Sequence, residues 1–132
     1  MAELDRFLEE ASGKRFHDGS WDCALMVAAW VERATGIDGA SPWRGHYRTR
    51  IGWLRILKRQ GGIEGVIAKG AALAELVETS SPRRGDIGIA RQPNGELMAG
   101  ICLGDRWASA GTRGLAACVA EPVRVWRVDW QN

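Results

Sequence analysis

A chain of 132 residues, 45% apolar and 26% charged, suits one domain around one core and excludes a disordered polymer. A net charge of +2 is too small to imply a polyanion partner, and no apolar run approaches membrane-spanning length. The acidic, amphipathic start MAELDRFLEE is unlike a signal peptide.

Leu4, Phe7, Leu8 and Ala11 recur at helical spacing and predict a first helix over residues 2–12, stopped at Gly13. The polar stretch from Lys14 to Trp21 reads as a loop. A second helix is expected from about Asp22 to Thr35, with Asp22 as its N-cap and Gly36 as its C-cap. Cys23, Met26, Val27, Trp30, Val31 and Ala34 make one stripe, and Leu25, Ala28 and Ala29 fill the other faces. A helix apolar nearly all round is a buried one.

Gly39, Pro42 and Gly45 mark a loop. A third helix is expected over about Tyr47 to Gln60, with Tyr47, Ile51 and Leu54 facing one way and Arg48, Arg55 and Arg59 forming a basic stripe on another side. A short helical turn is expected at 63–69. The period then changes. Ile87 and Ile89 alternate with small residues, Gln92-Pro93-Asn94-Gly95 is a turn, and Leu97, Ala99, Ile101 and Leu103 alternate again. Further strands are expected near 106–110, 114–119 and 122–129. Helices first and strands afterwards give a single α+β domain over 1–132, with the buried helix packed on a mostly antiparallel C-terminal sheet.

Cys23 is the residue with the most chemical promise. The first turn of a helix presents unpaired N–H groups and partial positive charge. That setting favours a thiolate nucleophile and can hold an oxyanion. The plain alternative is a small buried side chain. Cys102 and Cys118 read as strand residues; an odd count of three cysteines and no C-x-x-C pair exclude a complete disulfide framework. With two histidines and no close Cys/His cluster, no zinc site is expected, nor any cofactor.

Gly13-Lys14-Arg15-Phe16, Gly19 and Trp21-Asp22-Cys23-Ala24-Leu25 resemble the Cys-bearing segment of NlpC-type cell-wall endopeptidases, which have a papain-like fold. Arg84-Gly85-Asp86-Ile87 resembles their P-G-D-L strand, and Met98-Ala99-Gly100-Ile101-Cys102-Leu103-Gly104 their H-V-G-I-Y-L-G strand. Trp107 to Leu115 is similar to the following hairpin. Thr35-Gly36-Ile37-Asp38, Arg44-Gly45-His46-Tyr47 and Gly61-Gly62 look like an uncharacterised branch found among phage and prophage tail genes.

In those endopeptidases a Cys is the nucleophile, a strand His the general base, and a third polar residue orients the His. Position by position, the resemblance puts the nucleophile on Cys23, the base on Met98 and the orienting residue near Ala108 or Ala110. Neither Met nor Ala can accept a proton there, and a general base contributes ~10²–10⁴-fold. The resemblance therefore implies a pseudo-peptidase serving as a structural or assembly protein of a phage tail tip or baseplate. Its partners would be other tail proteins and its place the virion tail, after synthesis in the host cytoplasm. The alternative is an active cysteine amidase or peptidase on peptidoglycan stem peptides, with Cys23 as nucleophile and His46 or His17 as a non-standard base.

Two other signals stand in the sequence. Between Gly39 and Ile63 there is no acid, while Arg44, Arg48, Arg50, Arg55, Lys58 and Arg59 are all present. This stripe suits a solvated face or a protein contact better than a nucleic acid. Trp107, Trp126 and Trp130 suit either sheet packing or a docking surface.

Overall fold

The computed structural model describes residues 2–111 and 114–130. Four helices precede a sheet of six strands: α1 (Glu3–Ser12), α2 (Cys23–Thr35), α3 (Arg50–Gln60), α4 (Gly62–Leu73), β1 (Val77–Thr79), β2 (Ile87–Arg91), β3 (Leu97–Cys102), β4 (Trp107–Gly111), β5 (Gly114–Cys118) and β6 (Glu121–Arg127). The strand order is β1-β6-β2-β3-β4-β5, with every neighbouring pair antiparallel. The fold is therefore α+β, as the change of hydrophobic period required.

α2 forms as its sequence dictates. Asp22 accepts the Leu25 N–H at its start, and Gly36 closes it in the left-handed region at φ 84°. Its buried residues pack against β3 and β4, beside α1 and α4. Trp30, fully buried, donates its indole N–H to the Gly85 carbonyl at 2.8 Å and meets Phe7 and Trp130 edge to face or tilted. Gly85 (φ 98°) has no alternative, because a Cβ there would lie 2.0 Å from the Trp130 indole nitrogen.

The third helix starts later than periodicity suggests. Thr49 caps it by accepting the Gly52 N–H, and Tyr47 stays outside it in a loop. Tyr47 is buried and stacks on Trp53, while Ile51 and Leu54 point to solvent. The expected grouping of Tyr47 with Ile51 and Leu54 fails, since helical spacing does not extend past the cap. Arg48 likewise lies outside the helix, so the stripe holds only from Arg55 onward. The turn expected at 63–69 is a full helix, α4, and the short β1 gave no periodic signal at three residues.

The sheet has an apolar cluster on each face. Ile87, Ile89, Ala99, Ile101 and Ala108 join the main core under the helices. Ala90, Met98, Cys102, Trp107 and Val125 form a second cluster on the opposite face. There the Trp107 ring reaches across to β2, within 3.1 Å of where a Gly88 Cβ would stand. Gly88, which pairs with Gly100 across β2 and β3, has no Cβ to obstruct it. Trp107 pairs with both Cys102 and Cys118, so a strand separates the two cysteines and both are free thiols. Trp107 and Trp126 are buried, which settles them as sheet packing.

The second buried carboxylate is structural. Asp86, 1% exposed, accepts the Arg83 and Val128 N–H groups at 2.8 and 3.1 Å and takes Arg127 Nε at 3.0 Å. Arg127 also donates to Thr79 and Ser81, which ties β6 to the end of β1.

Candidate functional site

The loop from Lys14 to Asp22 delivers Cys23 to the start of α2. A bridge between His17 and Trp21 narrows the loop, and Gly19 turns it at φ 85°. A Cβ on Gly19 would sit 2.1 Å from the Tyr47 carbonyl oxygen, so only glycine admits this approach. Asp22, 1% exposed, collects three donors: the Gly19 N–H at 3.2 Å, the Leu25 N–H at 2.9 Å and the Tyr47 hydroxyl. Burial, and then the bond to Asp22, drive the Tyr47 phenol far above its ordinary range.

Cys23 is partly buried against the main core, and its sulfur reaches the backbone of Ala99 on β3. Burial pushes the thiol up to about 11, with the Asp22 carboxylate adding to the rise. Backbone bonds from Ala99 and the first turn of α2 oppose this without overcoming it. The helix end that favours a thiolate thus has a carboxylate already seated on it, and the backbone donors around the sulfur are outweighed.

No imidazole is hydrogen-bonded to this sulfur among the described residues. His17 is exposed, and its Nδ1 lies 2.9 Å from the Asp18 carbonyl. His46 is exposed in the loop before α3, where its N–H donates to the Trp43 carbonyl at 2.9 Å. Met98, onto which the base position was carried, faces away from α2. Its sulfur lies in the second cluster, 3.6 Å from that of Cys118. Successive strand residues face opposite ways, so the β3 side chains on the helix side are Ala99 and Ile101, and Met98 is not among them. Ala108 is on the helix side of β4, as carried over, and is fully buried.

Sequence reasoning missed two parts of this site. Helical spacing groups Tyr47 with a helix face and carries no signal for its bond to Asp22. Ala99 carries no chemical signal at all. No group of three His, Cys, Asp or Glu residues able to hold a metal ion occurs among the described residues. Nor does any described helix have the length and apolarity to cross a membrane.

A family model described as Domain of unknown function (DUF6950) matches residues 1–128. The chain belongs to this family. No curated protein and no solved structure matches it. The match runs through all four helices and all six strands, so the Cys23 site of this DUF6950 chain lies within the matched region.

Proposed function

We propose that this DUF6950 chain is a non-catalytic structural or assembly component of a phage or prophage tail, near the tip or baseplate, with an NlpC-like papain-type fold whose chemistry has lapsed. The observation that carries the non-catalytic half is the surroundings of Cys23. The thiol is raised to about 11, a carboxylate occupies its helix end, and no imidazole is hydrogen-bonded to the sulfur among the described residues. At pH 7 a thiol with that value is ionised to about one part in ten thousand. The NlpC likeness and the tail setting rest on the ordered motifs from Gly13 to Leu115.

The test has two arms. Purified protein incubated with muropeptides should release no fragment detectable by mass spectrometry. Expressed with the tail-tip and baseplate proteins of its own phage or prophage, it should co-purify with them, with or without Cys23→Ala. Cys23-dependent cleavage would replace this reading with that of an active peptidoglycan amidase or peptidase. Failure to enter any tail complex would remove the tail setting.

A further inference from the structure

We infer that the outer face of α3 docks an acidic protein segment that carries an apolar side chain. Ile51, Leu54, Arg55 and Lys58 stand at i, i+3, i+4 and i+7, one face of the helix. Ile51 is 65% exposed and Leu54 53%, while Trp53 alone on this helix is buried. Arg55, Lys58 and the adjacent Arg59 are exposed as well. Among the described residues none of these three cations pairs with a carboxylate, although Arg33, Arg44, Arg84, Arg124 and Arg127 all do. α3 packs chiefly on α4, and no acid occurs between Gly39 and Ile63 to neutralise the patch.

The composition of the face selects the partner. Two large exposed apolar side chains in its N-terminal half need an apolar counterpart, which a phosphate backbone does not offer. Guanidinium groups pair with carboxylates through two parallel bonds, and arginine is enriched at interface centres. A bilayer surface is a weaker fit, because Ile51 and Leu54 lie one turn apart and form no continuous apolar stripe along the helix. An acidic segment with one or two Leu or Phe side chains satisfies both halves of the patch.

This inference deepens the assembly reading and rests on it for the partner being a protein. The test uses the full chain against a displayed library of short random peptides. Selected peptides should combine Asp or Glu with Leu or Phe, and binding should weaken as salt rises. Leu54→Ser, and separately Arg55→Glu with Lys58→Glu, should each weaken binding by about tenfold or more while the melting temperature stays unchanged. Selected peptides that bind both variants as well as the parent would overturn the inference. So would α3-dependent binding to phosphatidylserine vesicles or duplex DNA in place of peptides, or α3-dependent self-association in sedimentation. Acidic-peptide binding without tail co-purification would keep this face and remove the tail setting; the reverse pattern would remove the face alone.

Discussion

Tyr47 donates its hydroxyl to Asp22, the residue that caps α2 immediately before Cys23. The bond joins the loop before α3 to the loop before α2, and both partners are buried. Tyr47→Phe keeps the stacking on Trp53 and leaves one carboxylate oxygen of Asp22 short of a donor. Loss of a buried bond to a charged group costs about 1.5–3 kcal/mol. Urea denaturation of Tyr47→Phe should show a loss in that range with an unchanged slope, and no loss would mean the bond is idle.

Cys23 should behave as a reluctant thiol. Because burial holds it at about 11, alkylation by iodoacetamide should accelerate tenfold per pH unit through the range where a free thiol, at ~8.5, has levelled off. The sign for stability follows from the same shift. The unfolded chain gives up this proton first as pH rises, so the native state binds more protons between the two values. Stability from this group is therefore full below ~8.5 and is lost as pH climbs toward about 11. Denaturation of the parent and of Cys23→Ala, compared from neutral to alkaline pH, measures it; equal slopes would contradict it.

Placing a histidine at Met98 should not create a dyad. Met98 lies in the cluster with Trp107 and Cys118, on the sheet face turned away from Cys23. Met98→His should leave the pH dependence of Cys23 alkylation unchanged. It should also destabilise the protein by about 2–5 kcal/mol, as for other losses of a buried apolar side chain. A downward shift of the Cys23 profile in this variant would show that the two positions communicate.

Arg127 is the counter-charge of fully buried Asp86 and reaches Thr79 and Ser81 as well. Arg127→Met should cost about 3–5 kcal/mol by leaving a carboxylate buried without its cation. Asp86→Asn combined with Arg127→Met should recover part of that loss, which a double-mutant cycle reads directly. Strict additivity of the two substitutions would refute the coupling.

The sequence by itself determined the helices-then-strands order, the capped and buried α2, the turn around Gly95, and the position of Cys23. Each is a local matter of period, cap or turn residue, and local rules need no neighbours to act. Tertiary structure decided the rest. Which β3 residue meets Cys23 depends on the pleat, and a step of one residue exchanges Ala99 for Met98. Whether the helix end activates the thiol depends on burial and on the Asp22 charge, which no spacing rule contains. Tyr47 left the helix face assigned to it because a buried carboxylate and the Trp53 ring, distant in periodicity but close in space, held it more strongly than helical propensity did.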